Sequence, residues 1–507
     1  MENKSGSKAS TASSVKPVAT NAQGNNTASK KGALSKITLA TFIGLTFSLV
    51  AGPYYSTLTA TGWNMFLFMG IAVIGFALPI ALMSGEFGTT FPGQGGPELW
   101  VKNTLGPKWG FVTSWLIWAA MFPSMVVVGT GFAPMVALLL KKESLIENSM
   151  FTLAVILGLV WCMTLLNLKF DMAKVNGKFG IWLGLYIPVV MLFILGVFTF
   201  VKIGLNPDSI LGTFSWSKLV PKSFTSGSGM YFSGIIFIFL GIEMSSVFIT
   251  RLKKPSQQYA KGVITSLILL ALFSLVNSFL VANVIPAGKI QLNNGAQPLQ
   301  LFADRLGLPY FVVQIFCLLS IVSVLTNMST WFISAQKTIT ASAREGDFPE
   351  KFKFWKTNKF NSSNTLLFVQ AIAITILSGA YVVIPGINKV FVIITNSGTM
   401  IYCLAYTLMA LGFIAMRRKS PDTEHPFRVG KKGNGLGFFF AGLLMVTIVF
   451  ALTLTFMSNT IENLIFVLIF VGILFSIPLI IYNKKKASWL TDVQKEMAKD
   501  STQTTNK

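Results

Sequence analysis

The chain has 507 residues, of which 52% are hydrophobic and only 12% are charged, whereas an ordinary soluble domain is about one-quarter charged. Continuous apolar stretches of about 20 residues can cross a bilayer as helices, and they exclude both a soluble globular protein and a β-barrel, whose strands alternate over about ten residues. The formal net charge is +23, but most basic residues fall on one side of the predicted membrane, which argues against a nucleic-acid partner.

The chain begins with a polar segment and continues into apolar runs. Residues 1–36 are rich in Ser, Thr, Asn, Gly and Lys and lack an apolar signal-peptide core, which predicts a disordered cytoplasmic tail. A transmembrane domain is predicted over residues 37–482, and a short basic cytoplasmic tail over residues 483–507. Twelve helical spans are predicted at residues 37–57, 64–85, 111–140, 150–168, 179–201, 230–250, 262–286, 309–336, 365–387, 390–416, 436–457 and 463–482. The predicted fold class is an all-α polytopic membrane protein.

The basic residues predict the orientation of these spans. Most of the 41 Lys and Arg residues lie in the two tails and in the loops that follow even-numbered spans. Cytoplasmic loops of membrane proteins carry an excess of Lys and Arg. We therefore predict that both termini are cytoplasmic and that the protein is a multi-pass protein of the cell membrane.

The predicted spans contain a single charged residue, Glu243 in span six. A carboxylate in the bilayer is costly and normally faces a cavity or a partner. Because Gly241 beside it can free backbone groups, we interpret Glu243 as a gating or proton-sensing residue; the alternative is a structural glutamate bonded between helices. Gly52-Pro53 interrupts span one. If the first ten spans form two inverted five-helix repeats, these breaks occupy matching positions, as at the substrate site of one transporter class.

The sequence offers little for catalysis. Cys162, Cys317 and Cys403 fall inside predicted spans, and the one histidine is His425, so we expect neither a metal site nor another cofactor. An enzyme is not expected, since one intramembrane glutamate cannot supply general acid and base together. No ATP-binding signature occurs, so the energy for transport would come from gradients or exchange.

Several motifs occur in a characteristic order along the chain. They are Gly95-Gly96, the segment Asn103 to Phe111 (NTLGPKWGF), Gly241-Ile242-Glu243, the segment Ala343 to Pro349 (AREGDFP) and the segment His425 to Val429 (HPFRV). This ordered set resembles the amino acid-polyamine-organocation (APC) superfamily, and within it the bacterial glutamate/GABA and arginine/agmatine antiporters. The resemblance implies a LeuT-like fold, with the first ten of twelve helices in two inverted repeats, and a bacterial source.

The resemblance also implies a substrate cavity. The implied substrate-binding residues are Ser48, Val50, Ala51, Gly52, Phe122, Met125, Phe237, Gly241 and Trp331. Phe237 matches an aromatic residue that closes over substrate, Trp331 matches a tryptophan of span eight, and residues 48–52 correspond to unwound backbone. Open amides at a half-helix attract a carboxylate. Because residues 49–53 replace the usual Gly-Ser-Gly, the substrate stays open among glutamate, tyrosine, histidine, arginine, their decarboxylated products and neutral amino acids.

These features predict a secondary active transporter. It would exchange an amino acid for a related amino acid or its decarboxylated amine by alternating access, rocking spans 1, 2, 6 and 7 against spans 3, 4, 5, 8, 9 and 10. The alternatives are a proton-coupled amino-acid uptake permease and a non-transporting membrane sensor or scaffold. The expected partners are small amino acids or amines and the lipid bilayer, without nucleic acid, and a second copy of the chain, forming a homodimer, is a candidate.

Overall fold

The computed structural model describes residues 36–50, 55–93, 95–175, 183, 187–224, 227–419, 424–430 and 433–505. Within these ranges the regular structure is helical, and the β pairing consists of two isolated bridges, Ile37 with Leu252 and Ser209 with Pro286. Residues 37–507 form one compact unit. The predicted N-terminal tail, apart from Lys36, lies outside the described residues.

The secondary structure of these ranges consists mostly of α-helices, joined by loops and short 3-10 helices. The α-helices are α1 (Leu39–Val50), α2 (Tyr55–Thr59), α3 (Met65–Ala72), α4 (Leu78–Thr90), α5 (Pro97–Leu105), α6 (Pro107–Leu139), α7 (Ser149–Lys169), α8 (Met172–Val175), α9 (Ile187–Ile203), α10 (Phe232–Phe237), α11 (Pro255–Ala282), α12 (Gln297–Leu306), α13 (Phe311–Arg344), α14 (Asn364–Ser378), α15 (Ala380–Val383), α16 (Ile387–Lys419), α17 (Gly435–Ser458), α18 (Ile461–Asn483) and α19 (Ala487–Thr505). The 3-10 helices are Gly62–Asn64, Glu143–Leu145, Trp216–Leu219, Gly227–Tyr231, Ile242–Arg251 and Glu350–Phe352, and Val73–Ala77 is a π-helical turn.

Within the part of the chain that the structure describes, ten helical stretches are long and apolar enough to cross a membrane. They are Gly62–Thr90, Pro107–Leu139, Ser149–Lys169, Gly229–Arg251, Pro255–Ala282, Phe311–Arg344, Asn364–Val383, Ile387–Lys419, Gly435–Met457 and Ile461–Asn483. They coincide with ten of the twelve predicted spans. Predicted span one begins with α1 and then enters residues 51–54, which lie outside the described part of the chain. Predicted span five overlaps the shorter apolar helix α9.

Two spans lie at the centre of the compact unit. The apolar windows of Pro107–Leu139 and Gly229–Arg251 are entirely buried, whereas less than half of the windows of α17 and α18 is covered. A helix that is apolar on all sides must be surrounded either by protein or by lipid. Span six packs against α16 and α17 through α10, and against α1 and α11 through Ile242–Arg251, so it lies within a protein environment and not beside lipid.

The expectation that Glu243 is the single charge in the spans is wrong. Predicted spans two and ten end at residues 85 and 416, but α4 continues to Thr90 and α16 continues to Lys419. Glu86 and Arg417 therefore lie inside these helices, 0% and 1% exposed. The prediction ended each span at its first charged residue, whereas opposite charges that pair with one another can be buried within a helix bundle.

The C-terminal segment is also helical. Helix α19 follows Lys484–Lys486 and packs against the 3-10 helix Glu350–Phe352 and against α13. Lys485 Nζ lies 2.6 Å from Asp347 Oδ1, and the Val493 side chain is fully buried. The predicted tail therefore lies on the side of the bundle where the loop after span eight emerges.

Candidate functional site

Span six is interrupted at Gly241. Helix α10 ends at Phe237, Gly241 has φ +89° and ψ +3°, and the chain then continues as the 3-10 helix Ile242–Arg251. This left-handed conformation is strained for residues with a side chain. A Cβ atom on Gly241 would also lie 2.5 Å from the indole ring of Trp331. The interruption predicted for span six is present, and it requires glycine for two independent reasons.

The interruption is bonded to span ten through Tyr406. The Gly241 N–H donates to the Tyr406 hydroxyl oxygen at 3.0 Å, and the Tyr406 hydroxyl donates to Glu243 Oε2 at 2.6 Å. Glu243 is fully buried, and among the described residues its Oε1 has no hydrogen-bond partner. The carboxylate of Glu243 therefore joins span six to span ten.

Trp331 connects span eight with spans one and ten. Its indole N–H donates to the Leu49 carbonyl oxygen at 2.6 Å, and its ring makes an edge contact with Tyr402 at a centroid separation of 6.1 Å. The last carbonyls of a helix have no intrahelical donor, and Leu49 occupies such a place at the end of α1. Trp331 thus caps the C-terminal end of α1, and its ring lies next to Gly241.

Phe237 lies where three spans meet. A Cβ atom on Gly398 of α16 would lie 3.4 Å from Phe237 Cε2 and 3.4 Å from Pro123 Cγ of α6. Phe237 is itself buried and stands at the end of α10, just before the interruption. Spans three, six and ten therefore approach one another closely around its ring.

The two predicted residues of span three lie in the packed interior. Phe122 stacks edge-on against Trp118 at 4.9 Å, and Trp118 contacts Trp115 at 5.2 Å. The Trp118 indole N–H donates to the Gln370 side-chain oxygen of α14 at 3.1 Å. This row of aromatic rings therefore contacts α14 at Trp118 and the region around Phe122 at its other end. Met125 is fully buried.

The span-one residues are only partly described. Ser48 and Val50 belong to α1 by their backbone, and Ala51 and Gly52 lie outside the described residues. The structure thus brings together Gly241, Glu243 and Trp331 at the end of α1.

The sequence signature of one family, described as Amino acid permease, matches residues 37–476. The chain belongs to the amino acid permease family. The glutamate/gamma-aminobutyrate antiporter of Lactococcus lactis subsp. lactis (strain IL1403) is 28% identical to the permease over 438 residues, which cover 83% of this chain and 84% of that protein. A protein of the same strain named "Probable agmatine/putrescine antiporter AguD" is 25% identical over 404 residues, covering 78% of this chain and 82% of that one.

A solved structure has the same fold as the permease. MhsT, crystallised with L-phenylalanine, matches with a TM-score of 0.57 at 15% sequence identity, covering 84% of this chain and 100% of that chain. The family and its relatives confirm the predicted APC superfamily, and they make the chain a membrane transporter and not an enzyme.

A buried ion pair of the permease was missed by sequence reasoning. Arg417 donates from Nε to Glu86 Oε1 at 2.7 Å and from Nη2 to Glu86 Oε2 at 2.5 Å. His425 Nδ1 lies 3.2 Å from Glu86 Oε1, and the Val429 N–H donates to Glu86 Oε2 at 2.8 Å. These contacts with Glu86 thus hold the loop after span ten against the end of span two.

The electrostatics of this ion pair favour a neutral histidine. Burial lowers the pKa of His425, the Glu86 carboxylate opposes this shift, and the Arg417 and Arg428 guanidinium groups reinforce it. The signal available in the sequence was the HPFRV motif together with a glutamate and an arginine at the predicted ends of two spans. Tyr402 and Tyr406 of the permease were also missed, because neither stands out from the other aromatic residues of the apolar spans.

Proposed function

We propose that the chain is a secondary active transporter that exchanges an amino acid for a related amino acid or its decarboxylated amine across a bacterial cell membrane, with both termini cytoplasmic. The observation that carries this proposal is the interruption at Gly241, buried in span six and enclosed by Trp331, Tyr406 and the end of α1. The names of the relatives, a glutamate/gamma-aminobutyrate antiporter and a probable agmatine/putrescine antiporter, favour exchange and these two substrate classes.

In the proposed site, backbone groups bind the parts of the molecule that all substrates have in common. Free amides and carbonyls at Gly241 and along Ser48, Val50, Ala51 and Gly52 would hold the α-carboxylate and α-ammonium groups. Phe237 and Trp331 would enclose the substrate. Phe122 and Met125 of span three would contact its side chain, since both lie on the helix that Phe237 approaches through Pro123.

Alternating access requires contacts between the two helix groups to break and re-form. The bond from Trp331 to the Leu49 carbonyl joins span eight to span one, and the bond from Tyr406 to Glu243 joins span ten to span six. Both cross from the proposed scaffold to the proposed moving group. Protonation of Glu243 would change the second bond, because a protonated carboxyl no longer attracts the hydroxyl donor as strongly. This supports the gating role proposed for Glu243.

Counterflow into proteoliposomes tests the proposed function. Vesicles preloaded with one unlabelled amino acid or amine are given a labelled one, and the panel contains glutamate, γ-aminobutyrate, arginine, agmatine, putrescine, tyrosine, histidine and leucine. We expect labelled uptake only when a related substrate is present inside. Trp331→Ala should lose this uptake, whereas Trp216→Ala, at a residue that is 79% exposed, should keep it.

The other outcomes identify the alternatives. Uptake into empty vesicles that is driven by a pH gradient would indicate the proton-coupled permease. No transport of any substrate by a folded, monodisperse protein would indicate the sensor or scaffold.

A further inference from the structure

A further buried carboxylate lies on the side of the bundle where the even-numbered loops emerge. Glu98, in the first turn of α5, is only 2% exposed. Its charged neighbours are Lys102, from its own helix, and Glu345 and Asp347, both from the segment that follows α13. Lys102 forms an ion pair with Glu345, and Asp347 pairs with Lys485.

These surroundings let Glu98 change its charge near neutral pH. Burial, with smaller contributions from Glu345 and Asp347 and against the opposing effect of Lys102, raises the pKa of Glu98 to about 8. Buried carboxylates that face a cluster of charges from several segments are frequently functional. Burial also raises the pKa of Asp347, to about 6, although Lys485 lowers it.

The Gly95-Gly96 turn places Glu98 next to span six. A Cβ atom on Gly95 would lie 2.5 Å from Glu98 Oε2, and one on Gly96 would collide with Ser246 Oγ. Gly96 has φ +55°, which also favours glycine. The two glycines thus allow the carboxylate of Glu98 and the hydroxyl of Ser246 to approach adjacent residues of the same turn.

Beyond Ser246 the interior holds further polar atoms without partners. Ser246 is 1% exposed, and Tyr259 and Glu243 are 0% exposed. Among the described residues, Ser246 Oγ, the Tyr259 hydroxyl and Glu243 Oε1 lack a hydrogen bond of good geometry. The Tyr259 hydroxyl is nevertheless close enough to interact with the hydroxyls of Ser245 and Ser246, and the charge of Glu243 also acts on it. Tyr259 therefore stands between the hydroxyl of Ser246 and the carboxylate of Glu243.

Buried polar groups of this kind destabilise the fold, so their presence calls for a functional explanation. An unsatisfied buried polar group destabilises the folded state, and native proteins contain few of them unless water or a ligand completes the bonds. The retained hydroxyls are therefore best explained by a hydrogen-bonded chain, completed by water, from Glu98 to Glu243.

We propose that Glu98, Ser246 and Tyr259 form a proton pathway that connects the even-loop side of the membrane with Glu243. The Glu98 carboxylate takes a proton from a hydronium ion on the even-loop side, which leaves neutral water, and passes this proton to the first hydroxyl of the series. Each hydroxyl, with bridging water, then accepts a proton and donates its own, and the proton finally rests on the Glu243 carboxylate, so that no other reactant is needed. This proposal rests on the gating role in the proposed function and adds the side from which Glu243 is protonated.

Infrared difference spectroscopy of the purified protein in lipid tests the pathway without any substrate. A pH jump is applied to oriented vesicles on the even-loop side, and the carboxyl C=O band that disappears in Glu243→Gln reports protonation of Glu243. We expect Glu98→Gln, Ser246→Ala and Tyr259→Phe each to lose the rapid appearance of this band. Tyr381→Phe removes an equally buried hydroxyl that bonds to Thr130 and should leave it unchanged. Wild-type kinetics in all three pathway variants would overturn the proposal.

A pair of charge variants serves if Glu98→Gln does not fold. Removing the carboxylate in Glu345→Gln should lower the pH at which the Glu98 carboxyl band titrates, and removing the ammonium in Lys102→Gln should raise it, each by about one unit. Unchanged titration in both would show that Glu98 does not respond to its neighbours and would refute the pathway entrance. Because none of these readouts requires transport, an absence of counterflow would reject the proposed function and leave this proposal standing.

Discussion

The buried pair of Glu86 and Arg417 gives a sharp prediction about stability. Arg417 makes two short bonds to Glu86 and also donates to the Val429 carbonyl at 2.9 Å and the Gly433 carbonyl at 3.2 Å. Among the described residues, Arg417→Met would leave the buried Glu86 carboxylate with the Val429 N–H and His425 beside it. A methionine side chain can occupy much of the same space, so the change removes the charge and its hydrogen bonds and keeps most of the packing.

The expected cost follows from this geometry. Removing one member of a buried ion pair costs about 3–5 kcal/mol, since the remaining charge is uncompensated, and we expect Arg417→Met to lose this much free energy of unfolding. Glu86→Gln should lose less, about 1–3 kcal/mol, because the amide oxygen still accepts hydrogen bonds and Arg417 keeps its carbonyl partners. The double variant should be more stable than the sum of the two losses predicts.

The pH dependence provides an independent check on the same pair. In the native protein His425 has a lowered pKa, so its contribution to stability is complete above the unfolded-state pKa of about 6.5 and is lost as the pH falls below that value. In Arg417→Met a protonated His425 can neutralise Glu86. The difference in stability between Arg417→Met and wild type should therefore shrink as the pH is lowered.

The assay is unfolding by SDS in mixed micelles, followed by tryptophan fluorescence at several pH values. Arg418→Met, at the exposed neighbouring position, is the matched control and should change stability by no more than about 0.5 kcal/mol. Two results would contradict this reasoning: a stability of Arg417→Met equal to that of the control, or a loss of stability that grows as the pH is lowered. Either would show that the ion pair does not stabilise the contact between spans two and ten.

Three further predictions concern the proposed site. Glu243→Gln should keep the unfolding temperature and flatten the pH dependence of transport, because Tyr406 can still donate to the amide oxygen; an unchanged pH profile would contradict the gating role. Phe237→Ala and Trp331→Ala should each lose about 1–3 kcal/mol of substrate binding free energy, measured by titration, with smaller changes in stability; native affinity would place both rings in helix packing. Met125→Ala should change the ranking of substrates in counterflow and keep exchange active, and an unaltered ranking would remove Met125 from the site.

The positions of the spans were largely predictable from the sequence, because a bilayer imposes a minimum length of apolar chain on every crossing helix. The ends of spans two and ten were not, since the pairing of Glu86 with Arg417 joins residues 331 positions apart. Ending each predicted span at its first charged residue ignores the opposite charge that a distant helix can provide in the folded bundle.

The candidate site was predictable where a residue was unusual in its own surroundings. Glu243 is conspicuous in an apolar run, and Gly241 beside it indicated an interruption. Tyr406, which bonds to both, lies 163 residues from Glu243 and looks like an ordinary aromatic residue of an apolar helix. The Leu49 carbonyl carries no side-chain signal at all, because its role follows from being the end of α1.

The interruption itself can be tested at Gly241. Valine at this position meets two obstacles that add: the left-handed backbone at φ +89°, which disfavours β-branched residues, and the Trp331 ring, 2.5 Å from the position of the first side-chain atom. Trp331 cannot retreat freely, since its indole N–H is bonded to the Leu49 carbonyl. The substitution should therefore displace the end of α1 and straighten span six together.

We expect Gly241→Val to abolish counterflow of every substrate alike, because it removes the backbone groups proposed to bind what all substrates share. Gly442→Ala is the matched control, since a Cβ atom there meets no atom within 4 Å, and it should exchange normally. Gly241→Ala should fall between the two, because both its backbone strain and its collision with Trp331 are smaller than those of valine. Normal exchange by Gly241→Val would mean that substrate does not bind at the interruption of span six, and the proposed site would have to move to another part of the bundle.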